Sequence, residues 1–123
     1  MVWNFSDNRP IYAQIIEHIK RETVSGGLAP GDRLPSVREL AAEAGVNPNT
    51  MQRAFAELER TGLVYSQRTS GRFITENTDL IAAMKAELAN EKISEFLKSM
   101  EQLGYSRDDA AEMIKNYREA ETE

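Results

Sequence analysis

The side chains best suited to chemistry fall into three short groups: Arg38; Asn49, Thr50, Gln52 and Arg53; and Arg68, Thr69, Ser70, Gly71 and Arg72. None is a nucleophile with a base beside it. They are donors and acceptors in forms that read other molecules. An arginine fork suits phosphate or guanine, glutamine can pair bidentately with adenine, hydroxyls reach base edges, and glycine lets a backbone come close. Simpler readings stand beside these. Arg38 could be solvated or pair with Glu39 or Glu43, Asn47 is first of all a helix cap, and the third group could be only a charged turn.

The elements that would position these groups can be read from caps and periodicity. Pro10 opens a helix whose Ile11, Tyr12, Ile15, Ile16 and Ile19 share one face, and Gly26 with Gly27 ends it. Pro30, Gly31 and Pro35 make Ala29 to Leu34 a short extended connection. Ser36 with Glu39 is a capping box opening a second helix, with Leu40, Ala41 and Ala44 inward. Gly45 supplies a tight turn, and Asn47 with Pro48 cap a third helix carrying Met51, Ala54, Phe55 and Leu58 on its apolar stripe. Leu63 to Ser66 and Arg72 to Thr75 then read as a hairpin around the polar stretch Gln67 to Gly71.

A small residue four before the turn glycine and an apolar one six after it let two helices cross closely. With the hairpin following directly, the expected fold is mainly α with a small β hairpin, a winged helix-turn-helix over residues 1–77. Its third helix would be placed for a major groove and its hairpin tip for the backbone or minor groove.

From about Thr78 long helix formers take over. Ala82, Ala86, Ala89, Ile93, Phe96, Met100 and Leu103 alternate four and three apart as a heptad seam. Gly104 breaks it, Ser106 with Asp109 caps a last helix, and Ala110, Met113, Ile114 and Tyr117 give that helix its apolar face. Residues 78–123 are thus expected to be a C-terminal helical pair that dimerises through Ala89, Ile93, Phe96, Met100 and Leu103. The seam is too long for the short last helix to cover, so a second copy is its expected cover.

Composition narrows the function classes. The chain has no cysteine and a single histidine, His18, which lies beside the first helix's apolar stripe and is read as structural. No phosphate-binding glycine loop or nucleophile elbow occurs, so neither an enzyme nor a metal or other cofactor is expected. The absence of a membrane-spanning run and of a leader pattern predicts a cytoplasmic protein with no membrane partner. Net charge is −5, but residues 1–77 hold nine Lys or Arg against nine Asp or Glu, and residues 78–123 six against eleven. The acidic excess therefore belongs to the tail, and local potential in the first part can oppose the global sign.

Pro10 to Tyr12, the block LAPGDRLPS from Leu28 to Ser36, VREL from Val37, GVNPNTMQR from Gly45 and LERTGLV from Leu58 together resemble the DNA-binding domain of the GntR-type bacterial regulators. The resemblance covers roughly residues 9–75, and the short tail looks like the YtrA-like branch, whose members end in a helical pair. It implies a sequence-specific transcription regulator, a repressor acting on a palindromic double-stranded DNA operator as a homodimer, with Arg38 in contact with DNA. Many relatives carry arginine where Gln52 stands, so no operator sequence transfers. A winged helix serving only as a protein-interaction module is the alternative, and a small-molecule effector remains open as a further partner.

Overall fold

The computed structural model describes residues 1–120. They form α1 (Ile11–Ser25), α2 (Val37–Ala44), α3 (Pro48–Arg60), β1 (Val64–Gln67), β2 (Gly71–Ile74), α4 (Thr78–Gln102) and α5 (Arg107–Asn116). The chain divides into two compact units at Lys85 and Ala86.

In the first unit each helix starts and stops on an identifiable residue. The Ser36 hydroxyl accepts from Glu39 N at 3.1 Å while the Glu39 carboxylate accepts from Ser36 N at 3.4 Å, closing the expected capping box on α2. Gly45 then turns the chain with φ +70°, a left-handed angle that any side chain would strain. Asn47 Oδ1 accepts from Asn49 N at 2.8 Å and starts α3 one residue before Pro48. These short connections force α2 and α3 to cross, and Leu40, Ala41, Met51, Ala54, Phe55 and Leu58 are buried where they meet Ile15 and Ile19 of α1.

Strands β1 and β2 pair antiparallel with Val64 opposite Ile74 and Gln67 opposite Gly71. The closing pair lies inside the stretch expected to be the tip, so the loop itself is only Arg68, Thr69 and Ser70. Tyr65 and Phe73, opposite each other, stack with centroids 5.5 Å apart. The other edge of β2 is taken by the connection before α2: Ile74 N donates to Asp32 O at 2.9 Å and Leu34 N to Arg72 O at 2.8 Å. Of the Ala29–Leu34 stretch expected to be extended, the first part is a turn in which Asp32 N donates to Ala29 O at 3.0 Å, and only Asp32–Leu34 runs along β2 as a third, minimal strand, bridged at Arg33 and burying Leu34.

The segment before α1 folds back onto it. Gln14 is buried, donating through Nε2 to Ser6 O at 2.8 Å and Arg9 O at 2.9 Å and accepting from Ser6 N at 2.8 Å. Its amide thereby satisfies the polar backbone of the turn. Trp3 lies over His18 with ring centroids 4.3 Å apart. On α4, Asn77 Oδ1 accepts from Leu80 N at 3.1 Å, and Met84 packs on the core.

The second unit comprises the later turns of α4 and α5. Ser106 and Asp109 form a second capping box, and Ala110 is fully buried. Most of the remaining apolar surface is open: Ile93 is 55% and Leu103 73% exposed, and Phe96, Met113 and Ile114 are exposed as well. Tyr117 lies just past the end of α5 rather than on its face. Among the described residues no helix is long and apolar enough to cross a membrane.

Candidate nucleic-acid interface

The apolar stripe of α3 fixes which of its residues can face outward. With Met51, Ala54, Phe55 and Leu58 buried, the opposite side centres on Asn49, flanked by Gln52 on one side and Arg53 on the other at about 100° of turn per residue. Asn49 and Gln52 are exposed, and Thr50 is half-buried near the helix start. Arg53 is exposed too, but its guanidinium lies 3.8 Å over the ring centroid of Tyr12 on α1. A cation over an aromatic face is attracted by the ring quadrupole, so Arg53 is drawn toward the α1 flank and away from Gln52.

Arg38 projects from α2, exposed. The acids that could have neutralised it are engaged elsewhere: Glu39 in the capping box, and Glu43 as acceptor for Trp3 Nε1 at 3.2 Å. Among the described residues no carboxylate forms an ion pair with Arg38 or with Arg68, which stands exposed with Thr69 and Ser70 at the hairpin tip.

Arg72 differs. The sequence pattern grouped it with the tip, but it belongs to β2, opposite Ser66, and its Nε donates to Glu59 Oε1 at 2.6 Å. Gly71, also in that group, begins β2 with φ +105°. Glu59 accepts from Ser66 Oγ at 2.8 Å as well. The hydrogen bond from Arg72 holds the Glu59 carboxyl below the ordinary glutamate range, against a smaller opposing effect of burial. One side chain of α3 thus ties down both strands of the wing.

The outward surface therefore offers an amide pair, a hydroxyl and unneutralised guanidinium groups, carried by a helix, its neighbour and a hairpin loop. Such a surface can hydrogen-bond base edges and neutralise phosphates. The patterns missed Arg33, which also has no ion pair among the described residues. Its only signal was its place one residue before the buried Leu34 in an extended stretch, which turns it outward. The dimerisation residues assigned from the heptad pattern, Ala89, Ile93, Phe96, Met100 and Leu103, are exposed apart from the half-buried Met100.

A match to the model for "Bacterial regulatory proteins, gntR family" covers residues 11–74, from the first residue of α1 to the last of β2. The chain belongs to the gntR family. Among its relatives, the transcriptional regulator YhcF of Bacillus subtilis is 42% identical over 94% of this chain and 95% of its own. The transcriptional repressor YtrA of the same organism is 39% identical over 86% of this chain and 82% of its own. A gntR-family regulator from Listeria monocytogenes superposes with a TM-score of 0.84 at 38% identity, covering 93% of this chain and all of that one. The DNA-binding domain of AraR, solved in complex with operator ORX1, superposes with a TM-score of 0.53 at 30% identity over 61% of this chain and 92% of its own. This gntR-family chain is a DNA-binding transcription regulator, with the fold of regulators rather than of enzymes.

Proposed function

We propose that the protein is a repressor that binds a palindromic operator as a homodimer joined through the tail, α4 beyond Lys85 together with α5. Asn49, Thr50 and Gln52 read bases, while Arg38 and the tip Arg68, Thr69 and Ser70 with Gly71 contact the backbone or a narrow groove. Arg53 and Arg72, each already engaged within the chain, act by holding α3 against α1 and the wing against α3.

The observation that carries the DNA reading is that Arg38 and Arg68 form no ion pair among the described residues while the neighbouring carboxylates Glu39, Glu43 and Glu59 are committed elsewhere. The exposed row Ile93, Phe96 and Leu103 supports the dimer, since contiguous apolar surface on a helix pair marks an association face. Two winged helices joined in this way can each take a half-site about one helical turn from the other. The repressor assignment follows the likeness to YtrA of Bacillus subtilis.

Selection of genomic fragments bound by the full chain, followed by sedimentation and in vitro transcription from a promoter carrying the selected site, tests this reading. A two-fold symmetric site, a dimer at micromolar concentration and reduced transcript are expected. An asymmetric site, a monomer or an increase in transcript would each remove the corresponding part.

A further inference from the structure

We infer that Arg33 is an additional DNA-backbone contact, holding a phosphate beside the wing; the inference rests on the operator-binding reading above. The residue sits in the minimal third strand, where Arg33 pairs with Phe73 through the backbone alone. Its side chain takes no part in that pairing.

That side chain lies across Gly71, the first residue of β2. A Cβ at position 71 would stand 3.3 Å from Arg33 Nε and 3.7 Å from one terminal nitrogen. Glycine is needed there for its φ of +105°, and the bare backbone also gives the guanidinium a flat seat at the root of the wing. The seat opens into a recess of about 500 Å³ whose lining includes Arg33, Pro35, Ser36, Glu39, Gly71 and Arg72.

Among the described residues, no carboxylate forms an ion pair with Arg33, the other arginine of this recess being paired. Arg72 is neutralised by Glu59 at 2.6 Å. Glu39 is turned into its capping box with Ser36, and Asp32 accepts from Ala29 N at 2.8 Å. Glu76 packs beside Gly31. A guanidinium seated by packing, rather than by a salt bridge, keeps its planar fork of donors for an incoming anion. Its position beside the base of the loop that carries Arg68 makes the phosphate backbone tracked by the wing the anion within reach. The contact is blind to sequence, because phosphates carry none.

The test measures salt dependence of binding by the full chain to a mixed-sequence duplex of about 30 base pairs, long enough to present a continuous phosphate lattice. Wild type, Arg33→Gln, Arg33→Lys and Arg38→Gln are compared, with melting curves to confirm folding. Arg33→Gln is expected to lower the slope of log K against log salt by about 0.9 per chain and to weaken low-salt binding about tenfold. Arg33→Lys should keep the slope, because the charge remains. An unchanged slope in Arg33→Gln, while Arg38→Gln flattens it, overturns the role of Arg33 and leaves the operator reading standing. Failure of the wild type to bind at low salt overturns both.

Discussion

Glu59 on α3 and Arg72 on β2 are joined by a 2.6 Å hydrogen bond across thirteen residues of sequence, so the angle of the wing is set by the helix it assists. Because Arg72 holds the Glu59 carboxyl low, the stabilisation is fully present above the ordinary glutamate value and is lost as pH falls through the lower folded one. Glu59→Ala should cost about 0.5–1.5 kcal/mol at neutral pH, a modest figure because both groups are partly exposed. Urea unfolding at neutral pH and again below pH about 4 should show the gap between variant and wild type narrowing on acidification. A gap independent of pH would place the stabilisation elsewhere.

The stacking of Arg53 on Tyr12 makes a separate energetic statement. A double-mutant cycle with Tyr12→Leu and Arg53→Met should return a coupling of about 0.5–1 kcal/mol, the range for a solvent-accessible cation over a ring. Zero coupling would mean that the two merely lie side by side.

Base reading and backbone binding should separate by kind of defect. Gln52→Ala is expected to change preference at one base pair by about 1–3 kcal/mol, read from competition among single-substituted operators. Arg68→Ala should weaken every sequence alike and flatten the salt slope. Equal behaviour of the two variants across all sequences would remove the role given to Gln52.

The open apolar row of the tail predicts an oligomeric switch. Phe96→Asp places a charge where a second chain would desolvate it, and should yield a monomer by sedimentation with the winged helix intact by circular dichroism. Operator affinity should fall toward the non-specific level, since linkage of two half-site contacts is lost. A dimeric Phe96→Asp protein would locate the interface away from this row.

His18 supplies a pH signature of its own. Its Nε2 is buried with no hydrogen-bond partner among the described residues, and burial is the main reason that its affinity for a proton lies below that of ordinary histidine. The unfolded chain then binds the proton more tightly, so stability should decline as pH drops from about 6.5 toward the lower folded value and level off beneath it. His18→Phe should abolish this decline, with the fluorescence of Trp3, the chain's one tryptophan, as the probe.

What could be read from sequence was local. Ser36 with Glu39, Asn47 with Pro48, and Ser106 with Asp109 announce helix starts because a cap and its partner lie within three residues of each other. Gly45 announces a turn because only its backbone angle matters. What escaped was whatever depended on distant partners. Arg72 finds Glu59 and Arg53 finds Tyr12 through tertiary packing, and no local pattern announces either contact. Gln14 reads as one more polar helix residue until the Ser6–Arg9 turn folds onto it. The third strand was invisible because two or three paired residues carry no alternation to detect.

Strand β2 is hydrogen-bonded on both edges, to β1 and to the Asp32–Leu34 backbone, and this decides where the wing can change over evolutionary time. An inserted or deleted residue within β2 would slip its pairing on both sides at once and turn Ile74 out of the core. Length is free to vary only among Arg68, Thr69 and Ser70, where the backbone is exposed and answers to one short turn. Homologues of this chain can thus lengthen the wing's reach along DNA by lineage-specific insertions at that loop, and the hydrophobic interior would be indifferent to them.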